Sequence, residues 1–197
     1  MAQTVKIKII VGSTRQGRFS EKPAKWIFEQ IKSVDGVEAE ILDLRDYKLP
    51  FFDETLSPLY KKEPYTNPKV AKWTGKIAEA DAFIVVSPEY NHGYSAVLKN
   101  AIDYVGLEWS KKAVGFISYG SVGGARAIAQ LRGLTAELQM VAIKNSINIF
   151  WPMLAEASKE PADAKPSVLD SLKDASDAFV QQLLWWARVL KTAREQK

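Results

Sequence analysis

The residues best suited to chemistry near the start of the sequence lie between Gly12 and Ser20, where glycines, hydroxyls and arginines follow an apolar run. An amphipathic segment comes directly after them, so the order is that of a strand, a loop and a helix N-terminus. The first turn of a helix offers unpaired N–H groups and the positive end of the helix dipole, both of which attract phosphate. An ordinary strand-to-helix turn also uses glycine and serine, so both interpretations are open on this stretch alone.

Within this loop the candidate ligands of an anion are hydroxyl, guanidinium and backbone N–H groups. Arginine suits phosphate because its guanidinium presents a planar fork of charged donors. For Arg15 the alternative is a solvated loop charge, and for Arg18 the two roles are equally open. The candidate cofactor-binding residues of the loop are Ser13, Arg15, Arg18, Phe19 and Ser20.

A second polar group, residues 88–93, comes directly after the clearest buried strand that the sequence predicts, residues 81–86. Its amide, carboxylate and aromatic side chains suit a flat heterocycle with an amide edge, such as the pyrimidine ring of a flavin. Glu89 has an alternative role as a carboxylate that stabilises the dipole of the following helix. His92 could be taken for a general base, which is a common role of histidine, but we expect it to cap the turn or face solvent. The candidates here are Pro88, Glu89, Tyr90 and Asn91.

A third group, residues 119–124, combines one tyrosine with three glycines. Glycine permits positive φ angles and a close approach of the backbone to a ligand. A planar ring could lie against this segment with Tyr119 at its rim, and a plain strand-to-helix turn is the alternative. The candidate residues are Tyr119, Gly120 and Gly123.

Hydrophobic periodicity predicts the elements that position these groups. The predicted strands cover residues 5–11, 38–44, 81–86, 113–119 and 143–150. The predicted helices lie near residues 24–34, 70–80, 94–105, 125–139 and 167–194. Strands that alternate with helices indicate an open parallel sheet covered on both faces. Because ligands bind at the carboxyl ends of such strands, we expect the loops at 12–20, 87–94 and 119–124 to converge.

Two segments fall outside this alternation. Residues 46–68 contain four prolines and several aromatic residues among charges, which is typical of a functional or mobile loop, or of a simple surface excursion. Residues 152–166 are rich in proline and alanine and are predicted to be a linker to the last helix. The Trp185–Trp186 pair in that helix is expected to be core or subunit interface rather than a cofactor contact.

Composition limits the chemistry that the protein can perform by itself. The 197 residues fit one domain over 1–197 with an ordinary hydrophobic fraction of 47%. There is no cysteine and a single histidine, which excludes disulfides, thiolate catalysis, cysteine-ligated metals and a multi-histidine metal site. The net charge of +4 is too small to indicate nucleic-acid binding. No apolar run could span a bilayer and no secretory segment is recognisable, so we expect a cytoplasmic protein that depends on a bound cofactor.

The motifs taken together resemble those of the NAD(P)H-dependent FMN reductases, flavodoxin-like enzymes that include quinone, chromate and azo-dye reductases. The resemblance covers residues 5 to about 150 and rests on the segments Gly12-Ser13-Thr14-Arg15, Ser87-Pro88-Glu89-Tyr90-Asn91 and Leu98-Lys99-Asn100-Ala101-Ile102-Asp103-Tyr104. It implies a five-stranded sheet of order 2-1-3-4-5, noncovalent FMN, and NADPH or NADH as co-substrate. It also implies a homodimer or homotetramer.

Carried over by position, the resemblance implies that Ser13, Arg15 and Ser20 hold the phosphate. The residues implied beside the isoalloxazine ring are Pro88, Glu89, Tyr90, Asn91, Tyr119, Gly120 and Gly123. The family often has serine at Arg18 and asparagine at Ser20, so this chain departs from its pattern there.

The function expected from these observations is that of an oxidoreductase which passes hydride from a nicotinamide to flavin N5 and on to a quinone, free flavin or similar small acceptor. No catalytic side chain is required, since the flavin carries the chemistry. The alternatives are a non-catalytic flavin-binding electron carrier or regulatory module, and a different phosphate ligand in the same crevice. The carrier is less favoured because carrier flavodoxins tend to be acidic, whereas this chain has 27 basic and 23 acidic residues.

Overall fold

A computed structural model describes residues 4–161 and 166–196 and contains one sheet of five parallel strands. Their order, β2-β1-β3-β4-β5, is the flavodoxin-like order that the resemblance implied. All neighbouring strands pair in parallel, so their carboxyl ends lie at one edge. The strands are β1 (Val5–Val11), β2 (Val37–Asp43), β3 (Ala82–Pro88), β4 (Ala113–Gly120) and β5 (Val141–Phe150).

Helices cover both faces of this sheet, as parallel strands buried on both sides require. Alternate residues of β1 face opposite layers, so Ile7 and Ile9 pack with one set of helices and Ile10 with the other. One layer contains α1 (Glu21–Ile31), α6 (Trp151–Ala157) and α7 (Lys173–Glu195). The opposite layer contains α2 (Leu44–Tyr47), α3 (Pro68–Ala78), α4 (Ala96–Asp103) and α5 (Ala125–Glu137).

The structure corrects the predictions for the two irregular segments. The predicted linker at 152–166 begins inside α6, because Pro152 occupies the first turn of a helix, where its missing N–H costs nothing. Residues 162–165 of that linker lie outside the described residues. The loop predicted at 46–68 begins within α2 and contains a 3₁₀ turn at Pro58–Tyr60. The last helix starts at Lys173, after a 3₁₀ segment, Ser167–Leu172, whose Leu169 is fully buried.

Strand β5 departs from regular pairing with β4 at a bulge. Val114 pairs with Ala142 and Phe116 with Ser146, so β5 has two extra residues in this interval. The guanidinium of Arg132 binds the displaced carbonyls, donating to Ile143 O at 2.7 Å and to Lys144 O at 2.8 Å. These bonds satisfy backbone groups that the bulge removes from the ladder.

Helix α7 packs closely over β4. Its C-terminal end is held at the amino-terminal edge of the sheet, opposite the edge where the strands end. A Cβ atom on Gly115 would lie 2.4 Å from the ring of Phe179, so the helix occupies the space of a side chain there. At the far end of the helix, Lys191 and Arg194 each bind the carboxylate of Asp81 at 2.8 Å. The same carboxylate accepts the backbone N–H of Lys6 at 2.9 Å, which joins α7 to β1.

Within the described part of the chain, no helix is both long and apolar enough to cross a membrane.

Candidate functional site

The loop that follows β1, residues 12–20 (the β1 loop), starts with a close contact between two backbone segments. Gly12 N donates to Val86 O at 2.8 Å, and a Cβ atom on Gly12 would lie 2.8 Å from that same oxygen. Ser95 Oγ binds Gly12 O and also caps α4 by accepting from Leu98 N. Glycine is therefore required where the loop leaves β1, and the loop is fixed to both β3 and α4. Residues 14–17 beyond this point are exposed at the carboxyl edge.

Arg18 lies beneath this loop, and its side chain is only 1% exposed. Its guanidinium binds both carboxylate oxygens of Asp43, with NH1 2.7 Å from Oδ1, and its Nε donates to Glu21 Oε1 at 2.8 Å. NH1 also donates to the carbonyl of Ser13. The structure thus gives Arg18 two carboxylates and a carbonyl as partners, whereas the sequence left a phosphate ligand and a solvated charge equally open. Asp43 and Glu21 were missed in the sequence, although Asp43 ends β2 at the same edge.

Arg45, in the first turn of α2, is a second arginine that binds the β1 loop. The sequence analysis did not single it out. Its Nε donates to Thr14 O at 3.3 Å and its NH2 to Arg15 O at 2.5 Å. NH1 binds Glu21 Oε1 at 2.9 Å. The signal that could have located it is its position two residues after the end of a parallel strand, beside the β1 loop.

Arg15 and Ser13 connect the β1 loop to Tyr90 in the loop after β3, residues 87–94 (the second loop). The Ser13 and Tyr90 hydroxyls are 3.1 Å apart, and the Arg15 guanidinium lies 5.7 Å from the centre of the Tyr90 ring. Arg15 is exposed, and in the described part of the chain no carboxylate pairs with it. Of the three arginines of the β1 loop region, Arg15 is therefore the one whose charge is available to a ligand.

The second loop is a tight turn at residues 90–93. Tyr90 N donates to Gly93 O at 2.8 Å and Gly93 N to Tyr90 O at 2.9 Å, while Asn91 and His92 both have positive φ angles. This is the geometry of a type I′ turn, in which asparagine is favoured. The His92 side chain faces solvent, as expected, and its carbonyl accepts from Gln130 Nε2 at 3.1 Å. Asn91 is exposed at the same turn.

The Glu89 carboxylate points away from the second loop and caps a helix. It accepts from the backbone N–H of Arg126 at 3.0 Å and from the Arg126 guanidinium at 2.6 Å. Burial raises the pKa of Glu89, but the hydrogen bonds from Arg126 and from the backbone of Ala127 outweigh it, so this pKa lies below its ordinary value. The helix stabilised is α5 and not the following helix α4, which corrects the alternative considered from the sequence.

In the loop after β4, residues 119–124 (the third loop), the Tyr119 side chain points into the protein and not toward the exposed edge where we expected it. Its ring is only 6% exposed, packs edge-on against Phe19 at 5.0 Å, and its hydroxyl lies 2.6 Å from Ser20 Oγ. Burial raises the pKa of Tyr119, and the Ser20 hydrogen bond only partly opposes this. Ser20 and Phe19 are buried too, so these three side chains join the β1 loop and the third loop on their buried side.

The rest of the third loop is backbone held close to β4. Gly124 has a φ of +72°, and a Cβ atom on it would lie 1.9 Å from Ser118 Oγ, which donates to Ser87 O at 2.7 Å. Gly123 also has positive φ and packs against the ring of Phe150. Only glycine fits at these positions, so the loop presents main chain at the edge of the sheet.

The second and third loops lie side by side because β3 and β4 are neighbours. Pro88 pairs with Tyr119 in the ladder, and Glu89 N donates to Tyr119 O at 3.0 Å. Next along the edge, Phe150 pairs with Gly120, and Phe150 and Trp151 are both exposed. The structure therefore brings all three predicted loops together and adds an aromatic pair at the end of β5 that the sequence analysis did not use.

Beside the β1 loop the carboxyl edge contains a cleft of about 430 Å³. Its wall includes Thr14 from the loop, Arg45 and Leu49 from the segment after β2, and Val97 and Asn100 from α4. Asn100 fixes the neighbouring chain, since its Nδ2 donates to Pro50 O at 2.6 Å and its Oδ1 accepts from Phe52 N at 2.8 Å. The side chain of Phe51 between them is 83% exposed.

Comparison with known proteins identifies this arrangement. Residues 5–151 match the model of the NADPH-dependent FMN reductases. The chain belongs to this family. A NAD(P)H-dependent FMN reductase of Schizosaccharomyces pombe is 34% identical over 180 residues, which cover 90% of each chain. The 2-hydroxy-1,4-benzoquinone reductase of a Burkholderia species is 32% identical over 146 residues, 70% of this chain and 73% of that one.

A solved structure agrees on the fold of this FMN reductase family member. The flavoenzyme NAD(P)H:(acceptor) oxidoreductase of Paracoccus denitrificans superposes with a TM-score of 0.70 at 24% identity, covering 91% of this chain and 97% of that one. The resemblance and the fold predicted from the sequence are therefore confirmed. Membership also confirms the predicted oxidoreductase class, with FMN as cofactor and NADPH or NADH as co-substrate.

The residues of the site fit FMN, which carries a phosphate at one end and a flat ring at the other. Residues 14–17 are exposed at the carboxyl edge, and Arg15 adds a charge that no described carboxylate neutralises. Main chain from the second and third loops lies next to this segment, and the missing side chains of Gly120 and Gly123 face Glu89 Cβ and the ring of Phe150. An exposed loop with an arginine that no described carboxylate neutralises thus adjoins a surface formed by main chain.

Proposed function

We propose that this family member holds FMN with its phosphate on the β1 loop and its ring against the second and third loops. The observation that carries the proposal is the contact of Ser13 and Arg15 with Tyr90, which brings the β1 loop directly beside the turn at 90–93. When bound, FMN supplies the redox chemistry, accepting hydride from NADPH or NADH at N5 and reducing a quinone, free flavin or similar acceptor.

The protein contributes position and charge to this reaction rather than an acid or a base. Arg15 and the N–H groups of residues 14–17 hold the phosphate, and Ser13 assists through its hydroxyl. Main-chain groups near Pro88, Glu89 and Asn91 face the polar edge of the ring, where donors stabilise the negative charge that develops on reduction. The ring lies beside the main chain of the third loop at Gly120 and Gly123. Holding the reactants in place can lower the barrier by several kcal/mol.

Arg18, Phe19, Ser20 and Tyr119 have a supporting role in the proposed site. Their side chains are buried and bind carboxylates, a carbonyl or one another. They hold the ends of the first and third loops in place, so their effect on the cofactor is transmitted through the main chain.

The proposed acceptors are quinones, since one relative acts on 2-hydroxy-1,4-benzoquinone. The cleft lined by Leu49 and Val97 lies beside the β1 loop, and Phe51 is presented next to it by Asn100. Apolar walls and an exposed ring suit a flat, weakly polar acceptor.

We further propose a homodimer or homotetramer working in the cytoplasm, where NAD(P)H is regenerated. Exposed apolar side chains on the α4 face and the segments around it support association, because such surfaces are usually covered by a partner. They are Phe51, Leu56, Tyr60, Val97 and Leu107. Trp185, which is 59% exposed and packs edge-on against Trp186, forms a second candidate surface on α7. Light scattering after gel filtration will give the oligomeric state.

The function is tested with the purified full-length chain, by FMN titration and by steady-state kinetics with NADPH and NADH. The acceptor panel contains benzoquinones, free flavins and azo dyes. We expect FMN binding and nicotinamide-dependent turnover with a quinone. Protein without FMN affinity would overturn the proposal, whereas a yellow protein that neither nicotinamide bleaches would indicate an electron carrier.

A further inference from the structure

Three consecutive carbonyl groups of the β1 loop accept hydrogen bonds from arginine side chains. Arg18 NH1 donates to Ser13 O, while Arg45 donates from Nε to Thr14 O at 3.3 Å and from NH2 to Arg15 O at 2.5 Å. Two guanidinium groups thus lie on one side of the loop and hold its carbonyls toward them.

The planar peptide bond fixes the direction of the N–H groups that follow these three carbonyls. In a planar trans peptide the C=O of one residue and the N–H of the next point in opposite directions. No cis peptide bond occurs in the described chain. The N–H groups of Thr14, Arg15 and Gln16 therefore point away from the two arginines, and that of Arg15 lies 3.5 Å from Ser13 Oγ. Successive N–H groups on one side of a loop can form a concave site for an anion.

Both arginines are themselves held by carboxylates. Glu21 Oε1 accepts from Arg18 Nε at 2.8 Å and from Arg45 NH1 at 2.9 Å, so one oxygen joins the two guanidinium groups. Asp43 binds Arg18 and also accepts from Arg45 N at 2.8 Å, which caps α2. Two positive and two negative charges cancel within this cluster.

The cluster is therefore suited to hold the loop and unsuited to attract an anion by charge. Burial raises the pKa of Asp43, but the hydrogen bond from Arg18 and the positive charges around it lower that pKa below its ordinary value, so Asp43 stays ionised near neutral pH. The loop conformation is maintained by ion pairs and hydrogen bonds that form within the chain itself.

We propose that Arg18, Arg45, Glu21 and Asp43 are positioning residues that set the N–H groups of residues 14–16 for the FMN phosphate without touching it. The inference rests on the proposed FMN site. A loop that is ordered in advance loses less conformational freedom on binding, so its contribution appears as affinity. The benefit is specific to the phosphate end of the ligand.

The test compares FMN with riboflavin, which has the same ring and no phosphate. Both are titrated into the full-length apoprotein while quenching of flavin fluorescence is recorded. For Arg45→Ala we expect FMN affinity to fall about tenfold or more, and riboflavin affinity to stay within about twofold of wild type, since only the phosphate contacts lose their ordered loop. Arg132→Ala is the matched control, because Arg132 also holds two consecutive carbonyls, those of Ile143 and Lys144 in β5.

A second variant separates positioning from simple electrostatic attraction. Glu21→Ala removes a negative charge near the phosphate, so attraction alone predicts tighter FMN binding, whereas loss of positioning predicts weaker binding. We expect weaker binding of FMN with riboflavin unchanged. Glu29→Ala is the control, since it removes the same charge from α1 but its partner is Lys32. Arg45→Lys keeps the charge without the fork and should recover only a small part of the lost affinity.

The outcomes separate this inference from the proposed function. Unchanged FMN affinity in Arg45→Ala, equal losses for FMN and riboflavin, full recovery in Arg45→Lys, or tighter FMN binding in Glu21→Ala would each overturn the positioning role. Failure of the wild-type protein to bind FMN would overturn the proposed function instead.

Discussion

Arg18 and Asp43 form a two-point ion pair beneath the β1 loop, although 25 residues separate them in the chain. NH1 lies 2.7 Å from Oδ1, and the Arg18 side chain is almost completely buried while that of Asp43 is 25% exposed. Burial lowers the pKa of Arg18, but the bonds to Asp43 and Glu21 outweigh it, so the pKa lies above its ordinary value. Both members of the pair are therefore charged over the whole neutral range.

This pair predicts a specific dependence of stability on acid. The folded-state pKa of Asp43 lies below its unfolded value, so its contribution is complete above pH about 4 and is lost as the pH falls through the folded pKa. Asp43→Asn should lower the free energy of unfolding by about 2 kcal/mol at pH 7, as loss of a charged hydrogen bond. The difference from wild type should shrink below pH 4, as measured by urea unfolding at several pH values.

Asp177→Asn is the control for this experiment, since Asp177 pairs with Lys173 one turn away on the exposed face of α7. Removal of such a surface pair should change stability by less than about 0.5 kcal/mol. A pH-independent difference between wild type and Asp43→Asn would show that Asp43 does not act through its charge.

Arg15 should contribute directly to cofactor affinity, because it is exposed at the loop and no described carboxylate neutralises it. Arg15→Ala should weaken FMN binding by about 1.5–3 kcal/mol, as loss of a charged hydrogen bond, and should leave stability nearly unchanged. Lys62→Ala is the control, since it removes one exposed charge next to the carboxyl end of α4. Identical FMN titrations for Arg15→Ala and wild type would remove Arg15 from the site.

Two glycine substitutions should have opposite effects on stability. Gly115→Ala places a methyl group 2.4 Å from the Phe179 ring, so α7 must shift and the free energy of unfolding should fall by about 1–3 kcal/mol. Gly133→Ala, in the interior of α5 with nothing within 4 Å of the new Cβ atom, should raise it by about 0.5–1 kcal/mol. Chemical denaturation of both variants measures the two changes. A neutral Gly115→Ala would mean that α7 does not pack as described.

Lys112 should make the protein more stable as the pH rises above neutrality. It is buried, donates to Ile77 O and Ala78 O at the end of α3, and burial together with the charge of Arg194 lowers its pKa to about 8. The unfolded chain keeps this proton until pH about 10, so between these values the unfolded state binds more protons and stability rises with pH.

The variant Lys112→Met removes this dependence, so the stability of wild type relative to it should increase between pH 7.5 and 9.5 in urea unfolding experiments. The range stops there because burial raises the pKa of Tyr47 and of Tyr65 to about 12, so both proteins lose stability above the ordinary pKa of tyrosine. Lys173→Met is the control, since the hydrogen bond to Asp177 raises the pKa of this exposed lysine. A difference that stays flat would place the Lys112 ammonium in a more polar setting than its contacts indicate.

The fold could be predicted from the sequence because its signals are local. The segment at residues 5–11, which alternates at first and then becomes continuously apolar, coincides with β1, as expected for a strand buried on both faces. The convergence of the three loops follows from the parallel arrangement together with the strand order, in which β1, β3 and β4 are neighbours. The Pro152 helix start was missed because proline also marks linkers, and only the packing of α6 distinguishes the two cases.

The roles of individual side chains in the site could not be predicted in the same way. Arg18 has the expected chemistry for a phosphate, but Asp43 competes for it from the neighbouring strand, and no local pattern records that contact. The direction of Tyr119 depends on which face of β4 its position occupies at the end of the strand. Such assignments depend on register between strands and therefore require the three-dimensional structure.

The contact between Ser118 and Gly124 imposes an order on how this edge of the protein can evolve. A Cβ atom on Gly124 would lie 1.9 Å from Ser118 Oγ, but also 2.4 Å from Ser118 Cβ and 2.7 Å from Tyr119 N. Alanine at 118 would remove only the first conflict. Descendants of this sequence can therefore lose the serine and keep the glycine, whereas the reverse replacement is blocked by the main chain whatever happens at 118.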